Sequence, residues 1–432
     1  MTTEIAVMNK LAVVLAADSA GTVTGWVNGK QETRYFKGEN KIFHLSRRHP
    51  VGLMTYGNAD LQRVPWELTV KDFRQHYGDT ACDRLADYGE MLFNYVESNK
   101  DIFPSADREE YFKKKVKDVA IKAFVDAVQS AGFQSAQDDV SRAKAFECFI
   151  DQLRMMIDIS VVPNTVTQGD IDAAIADHAP TLISEFNAEM SGFPWWGLAN
   201  DLDQKVIEVT IKRLFKHYDE FLNATGIVIA GYGDKEYFPQ LMQYRVYGFL
   251  REKFIWVCED NKSISPTKPS EIVPFASTDM VETFTSGASP DVYGYIGTAF
   301  VESANEIAEA IRDSMGGGDI PGLADIVERH RKSFMASWFR KAIDVHYIPL
   351  TRVVGMLPVD EMAHLGETLI NLESLKEKVT RPTESIGGPV DVAAITKSEG
   401  FVWIKRKHYF DLSLNPRYAA RINARDQIGG GQ

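Results

Sequence analysis

The chain has 432 residues, enough for two or three domain-sized units, and its composition of 44% hydrophobic and 25% charged residues excludes a long disordered or collagen-like protein. Sixty acidic against 48 basic residues give a formal charge of −12, which offers no general attraction to phosphate backbones, so no nucleic-acid partner is expected. Cys82, Cys148 and Cys258 are too far apart for a CxxC metal pattern or a disulfide framework, which points to a reduced compartment. No run of 18 apolar residues occurs, so no membrane partner is expected. The apolar stretch 11–17 follows Glu4 and has no basic segment before it, which argues against a secretory signal and for a cytoplasmic location.

The first 60 residues read as short strands. Residues 3–8 alternate weakly, Asn9-Lys10 suits a turn, and Leu11–Ala17 is a continuous apolar run that fits a strand buried on both faces. Asn28-Gly29 is a tight-hairpin dipeptide, because both central residues of that turn need positive φ. Residues 41–45 and 51–57 read as two more strands. From Asp60 to about Ala224 the pattern is helical. Trp66, Val70 and Phe73 share a face, and Phe112, Val116, Ala120 and Phe124 form a stripe with Asp107 and Glu110 in capping-box positions. Gly192–Gly197 carries two tryptophans, in either a recognition loop or a buried connection.

Strand character returns at 226–231, 243–250, 254–258 and 271–276. Residues 324–344 predict a helix with Ile326, Val327, His330, Phe334, Trp338, Phe339 and Ile343 on one face. Residues 361–378 predict another after Pro358, with Asp360 as its cap. Strands at 390–396 and 401–405 close the pattern, and a glycine run near the end reads as a loose tail. Strands contributed by both ends of the chain predict a sheet system with helices layered outside it.

No P-loop, GxGxxG, HExxH or GxSxG pattern is present. The informative residue is Thr2. An initiator methionine before so small a side chain is commonly removed, which leaves an α-amine beside a hydroxyl in one residue. The amine, with a pKa of about 7.7–8, can take the hydroxyl proton without a histidine.

The order Thr2-Thr3-Glu4, the apolar strand ending at Asp18, the strand opened by Lys41, and the strand Val51–Tyr56 followed by Gly57 resembles the start of proteasome β subunits and the bacterial HslV peptidase. The resemblance implies that Thr2 is the nucleophile, that Lys41 favours its alkoxide-like state, that Asp18 pairs with Lys41, and that the Gly57 N–H serves a developing oxyanion. Read alone, Asp18 is a strand-end turn residue and Lys41 a solvated edge charge. Thr383, Glu384 and Ser385 fall near the family's supporting acidic and serine positions. The match departs there, since Ile386 stands where the family has serine and Thr383 where it has aspartate. Ser277 is either a serine that steadies the terminal amine or the N-cap of the next helix.

The implied fold is α+β, a four-layer αββα Ntn-hydrolase sandwich with a large helical insertion. Its core would come from residues 1–60, 226–290 and 356–410, with helical insertions at 61–225 and 291–355 and a tail at 411–432. The implied function is hydrolysis of a peptide or amide bond through an acyl-ester on Thr2, with no cofactor and no metal. The expected partners are that substrate and further copies of the chain; an ATPase partner is compatible with the resemblance but not derivable from the residues. The alternatives are a non-catalytic scaffold or binding protein that keeps Met1, a small-molecule amidase on the same fold, and a structural helical protein.

Overall fold

A computed structural model describes residues 3–27, 30–199, 201–314, 316–317, 321–380, 387–411, 413–418 and 420. Six strands come first: β1 (Thr3–Asn9), β2 (Ala12–Ala17), β3 (Ala20–Val27), β4 (Lys30–Lys37), β5 (Ile42–His44) and β6 (Val51–Gly57). A small ladder, β7 (Asp60–Leu61) with β8 (Val64–Pro65), leads into α1 (Trp66–Tyr77) and α2 (Leu85–Ser98). Then follow α3 (Ser105–Gln129), α4 (Ala131–Gln134), α5 (Asp139–Ile159), α6 (Gln168–Met190), α7 (Leu202–Lys216) and α8 (Tyr218–Phe221). Strands β9 (Thr225–Gly231), β10 (Gln240–Leu250), β11 (Lys253–Ser263) and β12 (Ser270–Ala276) precede α9 (Asp279–Ser286), α10 (Pro290–Ser314) and α11 (Leu323–Ala342). A π-helical turn, Ile343–Tyr347, joins α11 to α12 (Ile348–Val354), and α13 (Val359–Thr380), β13 (Asp391–Thr396) and β14 (Gly400–Lys405) complete the α+β chain.

Two five-stranded antiparallel sheets form the centre, in the orders β12-β1-β2-β13-β14 and β11-β10-β9-β6-β5. Every residue of β1 and β2 is buried, as the apolar run 11–17 predicts for a strand covered on both sides, except that the run's first residue, Leu11, precedes β2 and is exposed. Strand alternation divides their side chains. Ala6, Met8, Val13 and Leu15 face the second sheet, where they meet Met54, Val228 and Ala230. Ile5, Val7, Val14 and Ala16 face outward onto Met362, Leu369 and Ile370 of α13. The far side of the second sheet is covered by Trp66, Val70 and Phe73 of α1 and by Leu92 and Phe93 of α2. Outward from the centre the order is therefore helix, sheet, sheet, helix. β13 lies against β2 with Asp391 opposite Ala17, so a segment near the C-terminus completes the sheet that the first strands begin.

Helices α3 and α5–α7 have a core of their own. It is built on Phe112, Phe124, Phe146, Phe186, Trp195, Trp196 and Phe215, and it reaches the second sheet at Leu250 and Ile255. The buried Arg108 ties this core down. Its Nε donates to the Phe103 carbonyl at 2.8 Å, its guanidinium lies 3.8 Å from the Phe249 ring centroid, and Nη1 meets Glu252 at 3.2 Å. Among the described residues no helix is long and apolar enough to cross a membrane.

The structure corrects three local expectations. Asp107 and Glu110 do not form a capping box, because α3 starts earlier, with Pro104 at the N-cap and Asp107 inside the first turn. Asp360 likewise stands inside α13, where the Met362 N–H donates to the Pro358 carbonyl. A proline fits a helix start because its missing N–H would be unpaired there anyway. The stripe at 326–343 is only partly covered, since Val327 and Ala342 are the buried hydrophobics of α11 while Ile326, Phe334 and Phe339 stay exposed. The two tryptophans of 192–197 are buried, and β3 and β4 pair up to Val27 opposite Lys30. Asn28 and Gly29 lie outside the described residues.

His44 gives the fold an acid dependence. Its ring lies 3.8 Å from that of Phe401, and burial, aided by Arg74 and Arg406, pulls its pKa down to about 3. The unfolded imidazole titrates near 6.5. Between those values the unfolded chain binds the extra proton, so stability is lost as pH falls, by about 1.4 kcal/mol per pH unit from this group. Urea titrations from pH 7 to pH 4 should show that loss, with a shallower slope for His44→Gln than for the wild type.

Candidate active site

A buried polar cluster sits where β1 begins. β1 carries Thr3 and Glu4, the turn after β2 carries Asp18, and Lys41 stands just before β5. Lys41 is 3% exposed; its Nζ meets Asp18 Oδ1 at 2.5 Å and Glu4 Oε1 at 3.0 Å. Burial on its own would lower the lysine pKa, but the two carboxylates outweigh it and hold the ammonium above its ordinary range.

Asp18 is held from all sides. Oδ1 also accepts the Thr3 N–H at 3.2 Å, and Oδ2 accepts the N–H groups of Gly387 at 2.8 Å and Ala20 at 3.4 Å. With Lys41 these donors fill the four sites that a carboxylate offers. Two backbone bonds complete the frame: the Asp18 N–H donates to the Thr3 carbonyl at 3.1 Å, and the Ser19 N–H to the Gly387 carbonyl at 3.2 Å. Glu39 adjoins the cluster, and burial raises its carboxyl pKa against the pull of Lys41. The Thr3 hydroxyl is buried with no hydrogen-bond partner among the described residues. Among those residues no group of three side chains fit to hold a metal occurs.

Asp18 and Lys41, the pair that the resemblance implied, are therefore in contact. Thr2, Thr383, Glu384 and Ser385 lie outside the described residues, as does Ile386. Gly57 ends β6 two residues beyond Thr55, whose N–H donates to the Lys41 carbonyl at 2.9 Å. Its φ of +79° is a conformation that glycine adopts without strain, and it lines a cavity of about 430 Å³ with Tyr56, Asn223, Arg245 and Tyr247. Ser277 follows Ala276, the residue paired with Thr3. Ala276 has a φ of +60°, a strained value for a side chain with a Cβ. Ser277 is not the N-cap of α9; Thr278 holds that position without a side-chain bond. The Ser277 hydroxyl instead donates to Glu373 Oε1 at 2.8 Å, and Glu373 Oε2 accepts the Met280 N–H at 2.8 Å. The helix start is thus served from α13.

Sequence reasoning missed Glu4 and Glu373. The signal for Glu4 was a lone carboxylate inside a strand that is otherwise apolar or small; for Glu373 it was an acid on the face of α13 that carries Leu369 and Ile370.

No family model matches the sequence, and no curated protein matches it. Among solved structures the chain is similar to "Anbu (Gly-1) mutant" from Hyphomicrobium sp. strain MC1, at 9% identity over 100% of this chain and 98% of that one, with a TM-score of 0.26. A likeness of that size carries no argument about fold or chemistry. The resemblance to proteasome β subunits and HslV is accordingly corrected: the residues at the chain start match in order, but no family model extends that match.

Replacing Lys41 isolates the cluster's energetics. Lys41→Met leaves two buried carboxylates without their cation and should cost about 3–5 kcal/mol in urea unfolding at pH 7. The deficit should narrow toward pH 5 as a carboxylate takes up a proton. In the wild type the lysine's contribution is complete below about pH 10.5 and is lost as pH rises through its higher folded pKa.

Proposed function

We propose that this protein is an N-terminal-threonine hydrolase that cleaves amide or peptide bonds through an acyl-ester on Thr2 after removal of Met1. The observation that carries this is the buried Asp18–Lys41–Glu4 cluster bonded to Thr3, the residue next to Thr2. Desolvating three charges costs several kcal/mol per ion, and an apolar replacement of similar shape is often no less stable. Chemistry at the neighbouring residue gives such a cluster a use. The helix-sheet-sheet-helix packing supports assignment of the scaffold as an N-terminal-nucleophile sandwich, on geometry and without kinship to a named family.

The α-amine of Thr2 takes the hydroxyl proton, and the oxygen bonds to the substrate carbonyl carbon. The Lys41 ammonium stabilises the negative charge on the attacking oxygen, while Asp18 and Glu4 keep that ammonium protonated. The Gly57 N–H donates to the carbonyl oxygen as it becomes an oxyanion, a contact worth about 3 kcal/mol where it is made. The C–N bond then breaks, the leaving amine takes the proton, and the acyl group stays on Thr2. Water gives a proton to the same amine and bonds to the acyl carbon, the ester bond to the Thr2 oxygen breaks, that oxygen takes the proton back from the amine, and the acid leaves.

Two measurements test this. Intact mass of active protein should lack one methionine. Thr2→Ala should abolish amide hydrolysis with the fold retained, while Thr2→Ser keeps measurable turnover. Full activity in Thr2→Ala, or in protein that retains Met1, contradicts the reading.

A further inference from the structure

Far from this cluster along the chain, a cavity of about 610 Å³ opens between the end of α9, the start of α10, and α11 with its π-helical turn. That volume lies within the range of small-molecule sites. Its apolar wall is aromatic: Trp338 meets Tyr293 edge-on at 6.0 Å between ring centroids and Phe334 edge-on at 6.1 Å. Lys341 and His346 supply the polar end. Among the described residues no carboxylate lines the cavity, and Lys341 makes no ion pair, although the chain as a whole carries a charge of −12.

Two backbone features build this polar end. Lys341 and His346 are five residues apart, which on a regular α-helix separates them by about 140° around the axis. The π-helical turn 343–347 interrupts that regularity, and both residues line one cavity. Gly287, at a φ of +81°, makes room for the imidazole, since a Cβ there would lie 2.5 Å from His346 Cδ2. The Tyr293 hydroxyl donates to the Ser286 carbonyl at 3.0 Å, which fixes the aromatic wall to the α9 terminus.

We propose that this cavity is a binding site for a small organic anion with a flat aromatic body, its ring packed against Trp338, Tyr293 and Phe334 and its carboxylate on Lys341 and His346. The aromatic faces suit a planar apolar group, and a cation in a cavity whose lining holds no carboxylate selects negative charge. The site is independent of the Thr2 reading.

Calorimetric titration of the full chain with 2-naphthoate, and with uncharged 2-naphthamide, tests it. The wild type should bind one naphthoate and bind the amide at least tenfold more weakly. Lys341→Met should lose about tenfold in naphthoate affinity and little in amide affinity. Gly287→Val, which pushes His346 aside, should also weaken naphthoate binding; Trp338→Ala should weaken both ligands. Absence of naphthoate binding, equal affinity for acid and amide, or unchanged affinity in Lys341→Met overturns the proposal. So does a concentration-dependent mass doubling that Trp338→Ala abolishes and naphthoate does not, since the cavity would then hold a second copy of the chain. Normal thermal unfolding of Lys341→Met and Trp338→Ala separates loss of the site from loss of the fold.

Discussion

An ammonium with almost no access to water, held between two carboxylates, is the constraint around which the first sheet is arranged. Lys41 can remain charged only while Asp18 and Glu4 stay within reach, and Asp18 can take part only while backbone N–H groups satisfy its other lone pairs. Those demands reach through most of the chain's length. Glu4 is fixed by the β1–β12 ladder, Asp18 by the turn after β2, Lys41 by its carbonyl bond to β6, and the closing N–H comes from Gly387, 369 residues from Asp18. The two ends of the chain meet at one carboxylate.

The layered packing makes that convergence affordable. Period-two alternation sends half of β1 and β2 toward the second sheet and half toward α13, which leaves the strand ends as the place where polar groups gather. The strained φ of Ala276, opposite Thr3, lies at the same end, as does Ser277 with its bond to Glu373. The positive φ of Ala276 and the Lys41 cluster thus share one end of the first sheet. Helices α3 and α5–α7 carry a separate core that reaches the second sheet at Leu250 and Ile255, with Arg108 bonded to Phe103 and Glu252.

Much of the sheet system was legible because its cause is local. The run 11–17 has no polar residue, which suits a strand buried on both faces, and β2 (Ala12–Ala17) is buried throughout while Leu11, just before it, is exposed. Asp18 and Lys41 were legible as strand-end charges, but their contact was only what the resemblance implied, and read alone Lys41 was a solvated edge charge rather than the buried one it is. Glu4 was not legible, because one carboxylate in a buried strand does not announce which distant cation will neutralise it. The helix starts at Pro104 and Pro358 were displaced because acidic residues of a first turn look like caps when read without the chain's direction. The partial exposure of the α11 stripe depends on what packs against it, which periodicity does not contain. The order of residues at the chain start suggested a family, and the comparisons do not support that step. Spacing alone preserved the local geometry while saying nothing of ancestry.

The most direct test of the central claim is to trap the proposed nucleophile and locate it. Protein incubated with a β-lactone at pH 7.5 and mapped by peptide mass spectrometry should carry a single acyl adduct on Thr2, formed much more slowly in Asp18→Asn, whose neutral amide no longer holds Lys41 in place. An adduct on another residue, or labelling of Thr2 at the same rate in Asp18→Asn, would contradict the account.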